Sequence, residues 1–379
     1  MKTIFYWSPH LSTVATIKNV VNSAYSLVKY DKKNFNTYII DAIGEWSAEK
    51  KKILEKNINY FKLFNFRFNL PISGFYKSRF LSMIIFVSTI VPLFSLLKKE
   101  KPNYLIIHLL TSIPLTLLLL FNFETKFILR ISGLPKLNIM RKFLWKSVSR
   151  KISLITCPTN ETLEYINKMN IFDRKKVVLL NDPILNISEI IKKKKENISI
   201  KTLKQKYFLS IGRLTKQKNH QLLIKLISNL NKKNKDVYLY IIGEGEEKQK
   251  LQKQIHDLEL ENNIFLLGHK NNVFPYISSS EAVISPSLWE DPGAVMIEAA
   301  FCNKIVISSD CSSGPKEFLM NDKAGYLFKN GELNSITKVL NNFLRDTQKQ
   351  IYDKKKLAKK NSKKYSIFSH FLVLRKFLT

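Results

Sequence analysis

Acidic side chains are scarce in this 379-residue chain: Asp and Glu number 30 against 62 Lys and Arg, leaving a formal net charge of +32. Cysteine is scarcer. Cys157, Cys302 and Cys311 are scattered and form no framework, which excludes a disulfide scaffold. An odd count without CxxC spacing fits a reducing compartment and argues against a structural zinc site. Glycine numbers only 11, while apolar residues make up 45%. That apolar share is enough for sizeable cores and excludes a disordered polycation. Length alone sets an expectation of about two domains at ~150 residues each. A charge this positive points to an anionic partner, whether nucleic acid, an acidic membrane face or a phosphorylated substrate. A composition dense in Lys, Asn and Ile leaves another reading open, in which much of the excess is a solvated lysine surface.

A leader and a clean membrane span are also missing from the pattern. The first residues, to Trp7, read as a short apolar strand that meets Pro9 and His10 at once, so secretion is not expected. Two uncharged runs approach spanning length, 80–97 and 102–123. The second is cut by Asn103, His108, Ser112 and Pro114 into a buried strand at 104–108 and a helix at 113–121. The first carries Ser82, Ser88, Thr89 and Pro92 between basic ends. It suits a hydrophobic helix inside a domain or one lying on a membrane surface. The expectation is a soluble or peripheral protein.

From 207 onward, short continuous apolar segments alternate with helical ones. Strands read at 207–211, 237–242, 264–267, 282–285 and 304–308, with helices at 220–230, 246–258, 273–279 and 293–301. Such alternation means a parallel sheet covered on both faces, a doubly wound α/β domain. The first half repeats the idea less cleanly, with strands at 3–7, 37–40, 104–108, 126–131 and 154–156. The organisation expected is a Rossmann-like domain over 1–185, a charged linker over 186–204, a second Rossmann-like domain over 205–350 and a basic helical tail over 351–379. Ligands of such folds bind outside the carboxyl ends of the strands, here in a cleft between two domains.

Two stretches carry chemistry. In Ser285-Pro-Ser-Leu-Trp-Glu290-Asp291-Pro292-Gly293-Ala294, the chain breaks after a strand and helix resumes at once. Glu290 therefore sits at a strand's carboxyl end, and the amides of Gly293 and Ala294 open a helix N-terminus suited to anionic oxygens. Glu298 is the only charge in an otherwise apolar helix, so it must meet donors, either sugar hydroxyls or a basic partner of its own fold. In Gly212-Arg213-Leu-Thr-Lys-Gln-Lys218, Gly212 lets the backbone turn after a strand. Arg213 offers a bidentate fork and Lys218 a point charge, the donors a diphosphate wants. Among the histidines, His10 and His108 end strands on the cleft side, while His220, His256 and His370 read as surface positions.

Glu290 and Glu298, with seven residues between them, match the EX7E motif of retaining glycosyltransferases. Together with Gly212, Arg213 and Lys218, the pattern resembles glycosyltransferase family 4, of the GT-B fold. Further similar pieces are Gly243-Glu244-Gly245, Gly268-His269 and Gly314-Pro315-Lys-Glu317. The resemblance implies that Arg213 and Lys218 bind the diphosphate of a nucleotide sugar and stabilise the leaving group. It implies that Glu298 meets the ribose hydroxyls and that Glu290 contacts the donor sugar, with Gly293, Ala294 and Asp291 around it and His269 near the base. It further implies a UDP- or GDP-linked donor, no cofactor and no metal, in keeping with the lack of an Asp-x-Asp sequence. The first domain departs from the family pattern. The loop after its first strand has no glycine, leaving Ser12 and Thr13 to face the donor phosphates, and Arg130 and Ser132 stand where a histidine is usual.

The function expected is retaining transfer of a sugar from a nucleotide donor to a lipid-linked or cell-surface polysaccharide acceptor. The place expected is the cytoplasm, peripherally on the inner face of an anionic cell membrane. The alternatives are another GT-B enzyme, such as a nucleotide-sugar epimerase, or a basic nucleic-acid-binding protein. No binding module of the latter class is present, and the aromatic residues fall within strands and core helices.

Overall fold

The computed structural model describes the chain except for residues 11–14, 65–74, 136, 197–205, 232–236 and 379, and for the side chains of 15 and 75–82. It divides into two compact units, Met1–Ile184 with Ile367–Thr379, and Leu185–Ser366. In the first unit the order is β1 (Lys2–Trp7), α1 (Ala15–Asp31), β2 (Phe35–Asp41), α2 (Lys50–Glu55), β3 (Asn59–Lys62), α3 (Phe75–Glu100), β4 (Tyr104–Ile107), α4 (Ser112–Leu120), β5 (Lys126–Arg130), α5 (Ile139–Val148), β6 (Leu154–Cys157), α6 (Asn160–Lys168) and β7 (Val177–Leu179). These strands form a parallel sheet in the order β3-β2-β1-β4-β5-β6-β7.

The sheet is apolar on both faces because helices cover both. Alternate residues divide between two cores, as a period of two requires. Phe5, Trp7, Leu105, Ile107, Phe127 and Leu129 pack with α3, α4 and α5, whereas Ile4, Tyr6, Tyr104, Ile106 and Ile128 pack with α1.

The second unit continues with α7 (Ile187–Lys194), β8 (Phe208–Ile211), α8 (His220–Asn231), β9 (Leu239–Ile242), α9 (Lys248–Asp257), β10 (Ile264–Leu266), α10 (Phe274–Ser279), β11 (Ala282–Ser285), α11 (Ala294–Phe301), β12 (Ile305–Ser309), α12 (Pro315–Phe318), β13 (Tyr326–Phe328), α13 (Leu333–Arg345) and α14 (Gln348–Ser362). Its parallel sheet runs β10-β9-β8-β11-β12-β13. A last helix, α15 (Ile367–Phe377), returns to the first unit.

The ends of the second unit differ from the organisation read in the sequence. In place of a linker beginning at 186, the chain forms α7, which buries Ile190 and packs against α10. Asn272 Nδ2 donates to the Lys193 carbonyl at 2.8 Å and ties the helix down. The lysine run on that helix is its solvent face, so charge density alone suggested a linker. The tail over 351–379 is also divided. Helix α14 packs on α11, while α15 buries Phe371 and Leu374 against the first unit's core and packs on α1. Among the described residues, no helix is long and apolar enough to cross a membrane.

Two histidines read as surface positions are buried. His370 of α15 donates from Nδ1 to the Asn181 carbonyl at 2.8 Å and accepts at Nε2 from Ser23 Oγ at 2.8 Å. Tyr6 OH lies 3.1 Å from the same Ser23 hydroxyl. His220 opens α8 at the edge of its core. Burial pushes both rings down to about 3, with Lys218 adding to the effect at His220 and Arg130 adding to it at His370. The folded state therefore keeps them neutral where the unfolded chain, near 6.5, takes up protons. Stability is full above pH 6.5 and falls as the pH drops toward 3. Each ring is expected to cost about 2 kcal/mol at pH 5. Urea titrations at pH 7.5 and pH 5 check this, and His370→Gln should flatten the first unit's share of the change.

Candidate functional site

The strand order places a crossover in each sheet. In the second unit β8 has β9 on one side and β11 on the other, so successive connections leave in opposite directions there. A crevice opens at such a point, outside the strands' carboxyl ends. The loop after β8 carries Gly212, Arg213 and Lys218, and the loop after β11 carries Glu290, Asp291 and Gly293. Sequence separates these groups by some seventy positions, and the topology makes them neighbours.

Hydrogen bonds stitch the two loops together. Leu288 N donates to the Gln217 carbonyl at 2.8 Å, and Gln217 Nε2 donates to the Trp289 carbonyl at 2.9 Å. Lys218 Nζ then forms an ion pair with Glu290 Oε1, with only 19% of the lysine and 10% of the glutamate side chain exposed. Ser287 Oγ donates to the same oxygen at 2.6 Å. Ser287 is in turn held from below, its carbonyl accepting from Ser309 Oγ of β12. Ser287 is a residue that the sequence reading missed. Its signal was its place three positions before a glutamate in a turn, within reach of the following carboxylate.

Glycines set the close approaches. A Cβ on Gly243 would lie 1.9 Å from the Gly212 carbonyl oxygen, so the loops after β8 and β9 touch backbone to backbone. Gly293 has φ +90°, a conformation that costs an L side chain, and it is the N-cap of α11 without any side-chain cap. The first amides of α11 are thus left facing the β11 loop, where an anion or a hydroxyl oxygen would be favoured.

The other residues of this unit distribute as follows. Arg213 is exposed and makes no ion pair among the described residues. Glu298 is buried in the middle of α11. Asp291 Oδ2 accepts from Ser313 Oγ at 2.8 Å, which ties the β11 loop to the start of α12. His269 is exposed in the loop after β10, where the Gly268 carbonyl accepts from Gly243 N at 3.0 Å. Among the described residues no group of three or more His, Cys, Asp or Glu is placed to hold a metal ion.

In the first unit the crossover lies between β1 and β4. His108 follows β4 there, with its amide donating to the Trp7 carbonyl at 2.9 Å. Its ring is buried and stacked on Tyr6 with centroids 6.1 Å apart. Burial, then Arg130 and His370, hold its pKa well below the usual range. Ser12 and Thr13 lie outside the described residues.

Arg130 is not placed for a ligand. Its guanidinium pairs with Asp182 and donates to the Leu180 carbonyl at 2.6 Å, and only 3% of it is exposed. The cavity that His108, Arg130, Asp182 and His370 border measures about 10 Å³, room for about one water. Ser132, beyond β5, is exposed. The structure thus brings Gly212, Lys218, Glu290 and Gly293 together and spends Arg130 on its own fold.

Residues 191–365 match the family described as glycosyl transferases group 1. An uncharacterized glycosyltransferase of Methanocaldococcus jannaschii is 27% identical over 344 residues, covering 82% of this chain and 79% of that protein. A Campylobacter jejuni N-acetylgalactosaminyltransferase, named as acting on a diphospho-undecaprenol-linked sugar, is 33% identical over 228 residues, covering 60% of this chain and 59% of that one. The crystal structure of HepE from Anabaena, in complex with UDP and glucose, superimposes with a TM-score of 0.73 at 15% identity, covering 99% of each chain. Two parallel-sheet Rossmann-like units and the likeness to HepE along the whole chain give the GT-B fold, and the stretch that holds Lys218 and Glu290 is the one that matches glycosyl transferases group 1.

Proposed function

We propose that this glycosyltransferase retains anomeric configuration, as family 4 enzymes with an EX7E pair do. Its donor is a UDP-sugar and its acceptor a lipid-linked or cell-surface glycan, reached at the inner face of an anionic membrane. The observation that carries the reading is the Lys218–Glu290 pair at the β8–β11 crossover, beside the exposed Arg213. An ammonium has three N–H donors, and Glu290 uses one of them, so Lys218 can hold the carboxylate and a phosphate oxygen together. Arg213 supplies a second cation to the same diphosphate. Negative charge grows on the diphosphate as the bond to the sugar breaks, and these two cations are already in place to meet it. The acceptor hydroxyl attacks from the face the diphosphate leaves and passes its proton to the departing phosphate oxygen. Glu290 orients the sugar, and Glu298 takes the ribose hydroxyls. No metal is called for, because side chains and the α11 amides provide the positive end.

Uridine is favoured over guanosine because HepE holds UDP. A membrane-borne acceptor is favoured by the undecaprenol-linked substrate in the name of the Campylobacter relative. A thermal-shift panel of UDP- and GDP-sugars tests the donor. At a hundredfold excess over Kd, UDP or its sugar should stabilise the protein by about 2.7 kcal/mol, a rise of several degrees. Arg213→Ala should remove most of that rise. Stabilisation by GDP-sugars alone would overturn the uridine assignment. DNA binding with a steep salt slope and no nucleotide effect would overturn the transferase reading of the site.

A further inference from the structure

Helices α3, α4 and α5 form one layer on the first unit's sheet, with α4 between the other two. Their inner sides are core, and their outer sides are apolar as well. Met83, Val87 and Val91 repeat every four residues along α3 and are each about two-thirds exposed. At the start of α5, Ile139 is 89%, Met140 80% and Phe143 68% exposed, while Trp145 and Val148 on the other side are buried. Single exposed apolar residues need no explanation, but a set of them on neighbouring helices marks a contact surface.

Charge on the same layer has one sign. Between residues 75 and 160 the only acids are Glu100 and Glu124, and Glu124 is paired with Lys101. Arg141 and Lys142 lie among the exposed apolar residues at the start of α5, Lys146 and Arg150 follow toward its end, and all four are exposed with no ion pair among the described residues. A protein partner with an apolar patch would bury these cations at a cost unless it brought matching carboxylates. An anionic bilayer meets both requirements. The apolar side chains enter the acyl boundary while long basic side chains reach up to headgroup phosphates.

We infer that the outer face of α3, α4 and α5, led by Ile139, Met140 and Phe143, is the surface by which this enzyme docks on an anionic bilayer. The inference rests on the proposed membrane-borne acceptor and names the face that meets the membrane. Of the 80–97 run it keeps only the exposed stripe of Met83, Val87 and Val91, since Ile85, Thr89, Leu93, Leu96 and Leu97 are buried, and it adds the basic start of α5. None of these residues lies near the Lys218–Glu290 pair in sequence or within its unit, so docking and donor binding are separable by mutation.

The test is co-sedimentation of the full chain with vesicles of phosphatidylcholine alone or with 30 mol% phosphatidylglycerol (roughly the charge density of an anionic leaflet). The UDP thermal shift is measured in parallel. Wild type should bind the anionic vesicles and bind phosphatidylcholine at least tenfold more weakly. The triple variant Ile139→Ser, Met140→Ser, Phe143→Ser should lose at least tenfold in binding to anionic vesicles and keep its UDP shift. The substituted side chains are exposed, so its melting point should hold. Lys142→Glu with Lys146→Glu should weaken binding comparably and lower the sensitivity of the remaining binding to salt. Wild-type binding that the serine variant retains would overturn the assigned face and leave a membrane-borne acceptor standing. No vesicle binding by wild type, with the UDP shift intact, would overturn the membrane contact and leave the transferase standing. A dimer in sedimentation that the serine variant dissociates would assign the face to a second copy of the chain and overturn the inference.

Discussion

Glu290→Gln is expected to lower the turnover of sugar transfer about 10²- to 10³-fold, the usual loss when one preorganised polar group leaves a transition-state site. The protein should still fold, with a modest loss of stability. Glutamine keeps the Oε1 acceptor that Ser287 Oγ contacts at 2.6 Å, so the β11 loop retains its internal bond. The exchange removes the negative charge facing Lys218. The pair is largely buried, so the loss, about 1–3 kcal/mol, exceeds that of a surface pair, and it is limited because the glutamine oxygen still accepts from the ammonium. The measurement is steady-state transfer with a UDP-sugar beside a melting curve. A kcat that falls with KM for the donor nearly unchanged places Glu290 in the transition state. Unchanged turnover at an unchanged melting point would take Glu290 out of the site.

Arg130→Ala is expected to destabilise the first unit by about 3–5 kcal/mol, because it leaves Asp182 buried without its cation. The Leu180 carbonyl loses its donor at the same time. Urea unfolding followed by tryptophan fluorescence reads the loss, since Trp7, Trp46 and Trp145 are all buried in that unit. The sequence reading set Arg130 toward sugar or acceptor, and the variant separates the two roles. Intact stability with impaired transfer would restore a ligand contact. Lost stability with normal UDP binding by the folded fraction supports the structural one.

Much of the fold was legible because a doubly wound sheet writes itself in short apolar strands. The central strands β1, β4, β5, β8, β11 and β12 all fall within one or two residues of where continuous apolar runs put them. Three of the four edge strands did not show. β3, β7 and β13, each three or four residues long and paired on one side only, were missed, whereas the equally short edge β10 was read because its apolar run continues to Leu267. The histidines show the same limit from the other direction. His370 sits between lysine-rich segments and reads as solvent-facing, yet its burial depends on Asn181 and Ser23, far away in sequence.

By itself the sequence determined the α/β class and two sheet-forming halves, and it singled out a Gly-Arg…Lys turn and a Glu…Glu stretch as the candidate site. These are local facts, carried by periodicity and by spacing within one loop or one helix turn. Only the tertiary structure decided which charges are free. Lys218 meets Glu290 because β8 and β11 are neighbours in the sheet, and Arg130 is spent because β5 ends beside the segment that follows β7. Strand order brings such partners together across fifty to seventy residues, and no short-range pattern encodes strand order.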